Sequence, residues 1–277
     1  MTRRFKQIDV FSAHALQGNP LAVVLDGDGL DTAQMQAFAR WTQLSETTFL
    51  LPPTDASADY RVRIFTQCSE LPFAGHPTLG SCHAWLEAGG RPRQPGRVVQ
   101  ECGAGCITIR QGDGRLAFAA PPMTEREATP KELAAAAAAL GLGDGQVLAA
   151  RWLRNGPQWL ALRLGSAEEV LALAPHHAAV AAVGEIGVIG PHPAGSDCRF
   201  EVRAFTAASG VPEDPVTGSL NAALAQWLAA EGQQPAAYQV SQGRCVGRAG
   251  RLFIERDGET VWVGGASRTC IEGSVSL

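Results

Sequence analysis

The chain carries one motif twice, about half its length apart. Val62–Thr66, with the sequence VRIFT, recurs 140 residues later as VRAFT at Val202–Thr206. His76–Ser81 then has an echo 138 residues later at Asp214–Ser219. Because the repeats of solenoid proteins are far shorter than this, the period predicts two duplicated halves in one chain.

Each copy of the motif predicts a strand, a loop and a helix. Apolar residues alternate with arginines at Val62 and Ile64, and again around Arg203, which predicts half-buried strands. Pro77 and Pro215 suit the first turn of a helix, where a missing N–H costs nothing. The helices that follow are apolar on most sides and are therefore expected to be buried. The predicted fold class is α+β, with a mostly antiparallel, barrel-like sheet wrapped around one central helix in each half.

Local signals predict further elements. Asp31 precedes an amphipathic helix over residues 32–42, and Thr129 and Ser166 each open a capping box at a helix start. A strand is predicted over Ser45–Leu51, where β-branched and aromatic residues follow one another.

The boundary between the halves is expected at Pro121–Glu127, a polar and proline-rich stretch near the midpoint. The predicted halves are residues 1–122 and 123–277. A C-terminal strand that returns to the first half is kept as part of this prediction.

Composition and charge argue against several kinds of partner. The 23 basic and 27 acidic residues give a formal charge of −4, without the basic face that nucleic-acid binding needs. The longest apolar stretch, Leu133–Leu140, falls short of the ~20 residues that a membrane-spanning helix requires. The N-terminal residues lack the apolar core of a signal peptide, and the 7 scattered cysteines suit reduced thiols. We therefore expect a cytoplasmic protein with neither nucleic acid nor membrane as a partner.

The repeat also marks candidate catalytic residues. His76 and Asp214 take equivalent positions in it, each just before a predicted helix. If the halves face each other about a pseudo-twofold axis, both side chains and both helix N-termini converge on one cleft. A helix N-terminus attracts anions, and Gly75, Gly218 and Thr217 permit a close approach of the backbone. The expected ligand is a small carboxylate substrate.

Each of these residues also has a plainer interpretation. Asp214 is a common type of helix cap, and His76 can be a structural histidine with satisfied hydrogen bonds. Glu46, at the start of a predicted strand, is a third candidate, as a partly desolvated general base; a solvated charge at a strand end is the alternative that the pattern alone favours. Ser219 lacks the Gly-x-Ser-x-Gly context of a hydrolase nucleophile. No sequence feature demands a metal or an organic cofactor.

Four stretches, taken in order, resemble the PhzF-like family, which is named after an isomerase of phenazine biosynthesis and is related in fold to diaminopimelate epimerase. They lie within Asp9–Val24, Leu44–Phe49, Glu70–Gly80 and Val202–Ser219. Gln242–Gly243 with Gly247–Arg248, and then Val263–Gly265, match more loosely. The resemblance spans nearly the whole chain.

This resemblance implies two pseudo-equivalent halves, a homodimer, and a site where the halves meet that uses no metal or organic cofactor. In the phenazine enzyme a glutamate, here Glu46, moves a proton between carbon atoms of dihydro-3-hydroxyanthranilate. The family's histidine and aspartate, here His76 and Asp214, bind the substrate and assist proton transfer. Ser219 and the backbone of Gly218 resemble the residues that contact the substrate carboxylate. The resemblance therefore implies a cofactor-independent isomerase that uses general acid/base catalysis.

Three other functions stay open from the sequence. One is a metabolite-binding protein without catalytic activity, and a second is a hydrolase that acts through Ser219. The third is an amino-acid racemase or epimerase, since related enzymes use two cysteines near the matching helix starts. In this chain His76 and Asp214 take those places, and Cys82 lies about two turns further along the first helix. Racemase chemistry with two cysteines is therefore disfavoured.

Overall fold

The computed structural model describes residues 1–232 and 234–277, which form two compact units. Unit 1 comprises Met1–Ala119 and Gly264–Leu277, and unit 2 comprises Ala120–Val263. Each unit combines a mostly antiparallel sheet with a buried central helix, which confirms the predicted α+β fold class.

Unit 1 is built from strands that surround one buried helix. Its elements are β1 (Thr2–Val10), β2 (Asn19–Val24), α1 (Thr32–Thr42), β3 (Thr47–Leu51), β4 (Tyr60–Phe65), β5 (Glu70–Leu71), α2 (Gly75–Glu87), β6 (Arg97–Cys102), β7 (Gly105–Gly112), β8 (Arg115–Ala119) and the C-terminal strand Ser267–Ser276.

The sheet of unit 1 is mixed, with antiparallel pairs in the majority. β1 pairs antiparallel with both β2 and the C-terminal strand, and β3, β4 and β5 follow one another antiparallel. The β2–β3 and β4–β6 pairs are parallel, and β6, β7 and β8 form an antiparallel meander. Parallel neighbours need a crossover connection, which α1 supplies between β2 and β3 and α2 between β4 and β6.

Helix α2 lies directly on β1 and β2. A Cβ on Gly80 would come within 2.6 Å of a Leu21 methyl and 2.9 Å of a Val10 methyl, so only glycine permits this approach. Nine residues of the helix, from Gly75 to Cys82 and Ala84, are buried. The prediction of a buried central helix is therefore confirmed for this unit.

Unit 2 repeats this plan with extra helices. Its elements are β9 (Thr124–Glu127), α3 (Pro130–Leu140), β10 (Ala149–Arg154), β11 (Gln158–Arg163), α4 (Ala167–Ala172), α5 (His177–Val183), β12 (Ile186–Pro191), β13 (Phe200–Thr206), β14 (Val211–Asp214), α6 (Gly218–Ala230), β15 (Ala237–Gln242), β16 (Gly250–Asp257) and β17 (Thr260–Gly265), the last of which ends just beyond the unit.

Strand β13 lies at the centre of unit 2. It pairs antiparallel with β12 and β14 and parallel with β15. One face meets α6, where Gly187 of β12 leaves room for the Leu220 side chain. The other face meets a second core that includes Leu140 of α3, Val170 of α4 and Val180 of α5. All of β13 is therefore buried, and the predicted half-buried strand around Arg203 is wrong because a helical layer covers its outer face.

The predicted capping signals are confirmed. Asp31, Thr129 and Ser166 each accept a hydrogen bond from the backbone N–H three residues on, and the residue there returns a bond to the N-cap backbone. The stretch Pro121–Glu127 is only partly a connection, because its last four residues form strand β9 and pair with β10. The strand predicted from Ser45 begins two residues later, at Thr47.

An Arg–Glu pair recurs in both units and fixes the register of the repeat. Arg63 binds Glu70 through two hydrogen bonds of 2.7 and 2.6 Å, and Arg203 binds Glu213 through two of 3.0 and 2.7 Å. Each guanidinium also lies over the phenylalanine two residues on, at 5.1 and 4.8 Å from the ring centroid. The glutamates are 143 residues apart, and so are the starts of α2 and α6.

This register corrects the predicted match of His76 with Asp214. Both copies read Glu-x-Pro-x-x-Gly up to the helix start, so the counterpart of His76 is Ser219 and that of Asp214 is Leu71. The second copy has three more residues between its strand and its glutamate, and a 3₁₀ turn at Ala207–Ser209 takes them up. The His76-Pro77 and Asp214-Pro215 pairs are thus similar in sequence but occupy different positions in the repeat: the first lies inside α2 and the second precedes α6.

The two Arg–Glu pairs differ in burial, which predicts different energetic roles. Side chains of Arg203 and Glu213 are 5% and 5% exposed, against 25% and 39% for Arg63 and Glu70. We expect Glu213→Gln to lower the free energy of unfolding by about 3–5 kcal/mol, because it leaves a buried guanidinium without its counter-charge. The matched Glu70→Gln change is expected to cost about 1 kcal/mol or less. Urea unfolding of both variants measures this, and equal losses would contradict it.

Candidate active site

The start of helix α2 places His76 in the interior of unit 1. Ala74, the N-cap, is extended, and none of the described side chains caps the first turn. His76 is the second residue of the helix and is only 4% exposed. Burial disfavours the charged imidazolium and lowers the pKa of His76 to about 3. The imidazole is therefore neutral at neutral pH.

The two ring nitrogens of His76 face Asn19 and Glu46. Nδ1 lies 3.4 Å from the Asn19 amide nitrogen, and Nε2 lies 3.5 Å from Oε2 of Glu46. With the Asn19 amide nitrogen as the donor, Nδ1 accepts and the ring proton lies on Nε2, the nitrogen nearer to Glu46. Within the described part of the chain Nε2 makes no hydrogen bond. This argues against a structural histidine with both nitrogens satisfied.

Glu46 lies between α1 and β3. Gln43, in the left-handed conformation with φ 56°, ends α1, and a 2.9 Å hydrogen bond between the hydroxyls of Thr42 and Thr47 spans the segment. The Glu46 side chain is 15% exposed. A solvated charge at a strand end, the alternative that the pattern favoured, is therefore wrong. Asn19, Glu46 and His76 form what we call the first cluster.

In unit 2 the residues before α6 form a second cluster, which consists of Asp214, Thr217, Asn221 and Gln242. Asp214 is the last residue of β14, and its Oδ2 accepts the Thr217 hydroxyl at 2.6 Å. Thr217 is the N-cap of α6, so the alternative interpretation of Asp214 as this helix's N-cap is wrong. All four side chains are at most 8% exposed.

The remaining predicted residues lie at the two helix starts. Gly75 and Gly218 are the first residues of α2 and α6, and Ser219 is the second residue of α6. Ser219 is 6% exposed, and its carbonyl accepts a 2.9 Å hydrogen bond from the Asn155 amide. The N-cap residue of α6, Thr217, makes no side-chain capping hydrogen bond to its own helix. Unpaired N–H groups at such a start favour an anion.

Three amide side chains of these clusters, and a fourth that binds the start of α6, were not predicted from the sequence as site residues. Asn19 and Gln242 lie inside or near the stretches that carry the family resemblance, but Asn155 and Asn221 had no such signal. Amide residues follow no periodicity, and their partners are distant in sequence, as with Asn155 and Ser219. Only the Asn-Gly-Pro turn at Asn155 marks a position of constrained backbone.

Over residues 1–232 and 234–277, no group of three or more His, Cys, Asp or Glu side chains is arranged to hold a metal ion. In the same residues, no helix has the length and apolar character needed to cross a membrane.

Comparison with known proteins places the chain in a family. The model of the phenazine biosynthesis-like proteins matches residues 8–273. The chain belongs to this family. The expected resemblance is thus confirmed, over nearly the whole length.

Three similar proteins illustrate the range of the family. The chain is 36% identical to the trans-2,3-dihydro-3-hydroxyanthranilate isomerase of Pseudomonas aeruginosa, over 92% of this chain and 91% of that protein. It is also 36% identical to antisense-enhancing sequence 1 of Schizosaccharomyces pombe, over 97% of each. A phenazine biosynthesis protein of the PhzF family from Bacillus anthracis has the same fold, with a TM-score of 0.86, 24% identity and full coverage of both chains. The expected enzyme class, isomerase, is confirmed by relatives that carry this name.

The low pKa of His76 predicts how stability depends on pH. The unfolded chain takes up a proton on this histidine below about pH 6.5, whereas the folded chain does so only near pH 3. The contribution is therefore intact above pH 6.5 and is lost as the pH falls, by about 1.4 kcal/mol per pH unit. Unfolding free energies of the wild type and of His76→Asn, compared from about pH 7 to about pH 4.5, isolate this residue. An NMR titration of the His76 ring with a midpoint near 6.5 would contradict it.

Proposed function

We propose that the chain isomerises a small carboxylate substrate by moving a proton from one carbon atom to another with its own acid and base side chains. The observation that carries this proposal is the contact between the neutral His76 and the mostly buried Glu46. A carboxylate base that is mostly withdrawn from water and lies beside a neutral imidazole is well suited to proton abstraction. The named reaction of the Pseudomonas aeruginosa relative makes dihydro-3-hydroxyanthranilate the first substrate to test.

In this proposal Glu46 is the base. It takes a proton from a carbon atom of the substrate, and the electron pair of the broken C–H bond enters the substrate's conjugated system. A proton is then given to another carbon, either by the protonated Glu46 or by a protonated Asp214 with the assistance of His76, so that substrate and product have the same composition. In the second case Glu46 afterwards loses its proton to solvent and Asp214 takes one up. General acid/base catalysis of this kind typically contributes about 10²–10⁴-fold.

His76 has a supporting role. Its Nε2 lies 3.5 Å from the Glu46 carboxylate, and its Nδ1 faces the Asn19 amide. As a neutral donor, it can orient Glu46 without the charge that would hold the carboxylate in its ionised form. The 3.5 Å separation allows a hydrogen bond between the two side chains to form when substrate binds, since catalytic contacts are commonly long in the free enzyme.

The second cluster supplies Asp214 for proton transfer, while Gly218 and Ser219 are proposed to hold the substrate carboxylate. The uncapped start of α6 supports the second role, since its N–H groups and dipole favour an anion. Such preorganised donors also stabilise negative charge that develops during proton abstraction. The expectation that both clusters act on one substrate stays a prediction from the repeat and the resemblance.

The racemase alternative gains no support from Cys82. This thiol is fully buried within α2, and its pKa is raised well above the ordinary range by burial, with a further contribution from the charge of Asp59. A thiol acts as a base only as the thiolate, which burial disfavours.

Glu46→Gln tests the proposal directly. We expect this change to lower turnover of dihydro-3-hydroxyanthranilate by at least about 100-fold, because the amide cannot accept the proton. Reaction in D₂O, followed by NMR and mass spectrometry, measures both isomer formation and deuterium entry. Glu127→Gln, at a side chain that is 85% exposed, is the matched control and should keep full activity. Unchanged turnover of the Glu46 variant would overturn the assignment.

A panel of small cyclic and amino carboxylates extends the same experiment. Deuterium entry into another compound, dependent on Glu46, would keep the chemistry and change the substrate. Tight binding with no deuterium entry into any ligand would instead support the metabolite-binding protein.

Cys82→Ala tests the racemase alternative. We expect turnover to change by less than about threefold, since a buried neutral thiol takes no part in the proposed proton transfer. The same D₂O assay measures it, with thermal unfolding as a check on folding. A loss as large as that of Glu46→Gln would favour cysteine chemistry.

A further inference from the structure

Gln242, the last residue of β15, is 1% exposed and makes four side-chain hydrogen bonds. Its Oε1 accepts from the backbone N–H of Thr217 at 3.0 Å and from the amide of Asn221 at 2.8 Å. Its Nε2 donates to the carbonyl of Asp214 at 3.1 Å and to the hydroxyl of Thr217 at 2.8 Å. Every donor and acceptor of this side chain has a partner.

Backbone groups determine which way each amide points. The Thr217 N–H can only donate, so the atom of Gln242 that it meets is the oxygen. The Asp214 carbonyl can only accept, so the other atom is the nitrogen. The amide of Asn221 is fixed in the same way, since its nitrogen donates to the Thr217 carbonyl at 2.9 Å. The polarity of the second cluster therefore does not depend on an arbitrary choice of amide orientation.

This polarity fixes the Thr217 hydroxyl. The hydroxyl accepts a hydrogen bond from Gln242, and its single proton is directed to its other partner, Oδ2 of Asp214, at 2.6 Å. In a protonated carboxyl group the carbonyl-like oxygen is the better acceptor. A proton taken up by Asp214 is thus favoured on Oδ1 rather than on Oδ2.

We propose that Gln242, acting through Thr217, is a positioning residue that selects Oδ1 as the oxygen of Asp214 that exchanges a proton. This inference rests on the proposed function, in which Asp214 assists proton transfer. It also gives Thr217 a different role from the one expected from the sequence: its hydroxyl is committed to Asp214 instead of to the substrate.

Matched variants test whether the Thr217 hydroxyl positions Asp214 or contacts the substrate. Thr217→Ser keeps the hydroxyl, whereas Thr217→Val keeps the shape and removes it. Gln242→Glu keeps the acceptor for the Thr217 N–H and removes the donor to the Thr217 hydroxyl. We expect the valine and glutamate changes to lower kcat by about 10- to 100-fold with KM within about threefold, and the serine change to stay near wild type.

Kinetic outcomes that overturn the proposal are specific. A rise in KM with unchanged kcat in Thr217→Val would mean that the hydroxyl contacts substrate. Equal activity of Thr217→Ser and Thr217→Val would mean that the hydroxyl is not needed. Thermal unfolding of each variant serves as the check on folding, and rescue by serine is an effect that a purely structural role of the Thr217 side chain would not reproduce.

Neutron diffraction of the wild type gives a readout that needs no turnover. A deuterium on Thr217 Oγ1 that points to Asp214 Oδ2 is the expected result. A deuterium on Asp214 Oδ2 would overturn the proposal, even in an active enzyme. If the wild type turned over no compound of the panel, the proposed function would fail, while the neutron map would still decide the polarity of the cluster.

Discussion

Helices α2 and α6 are apolar on most sides, and most of each helix is buried. Their burial brings two helix starts into the interior of the two units, together with the polar residues found there. A buried polar group without a partner costs about 1–3 kcal/mol. Amide side chains supply partners for these buried groups: Asn19 contacts His76, and Gln242 donates to the Thr217 hydroxyl. The candidate catalytic residues are thus a consequence of how the central helices are buried.

The two clusters differ in how their buried polar side chains are hydrogen-bonded. The first holds a neutral histidine beside a carboxylate, with separations near 3.5 Å that leave room for a shorter contact. The second is a closed set of short hydrogen bonds in which the orientation of each amide is determined by backbone groups.

Local sequence signals predicted structure well where the physics is local. Capping boxes at Asp31, Thr129 and Ser166 gave correct helix starts because each bond spans only three residues. The burial of Arg203 could not be predicted, since it depends on helices α3, α4 and α5 packing over β13. The match of His76 with Asp214 failed because the first copy contains Pro-x-x-Gly twice, at Pro72–Gly75 and at Pro77–Gly80. The Arg–Glu pairs and the helix starts show that the first of these corresponds to Pro215–Gly218. For the candidate site, the sequence marked the titratable residues, while the amides that orient them depend on contacts between distant strands.

The duplicated Arg–Glu pair has a consequence for how the two halves can change over generations. Arg63 and Glu70 are partly in water, so either can be replaced alone and the remaining charge is solvated. Arg203 and Glu213 have no such intermediate, because a single replacement strands a charge in the interior. The second copy can be altered only by two coordinated substitutions or by a step through a poorly folded protein. The duplicated contact therefore accepts single substitutions in the first half, whereas in the second half a single substitution is strongly destabilising.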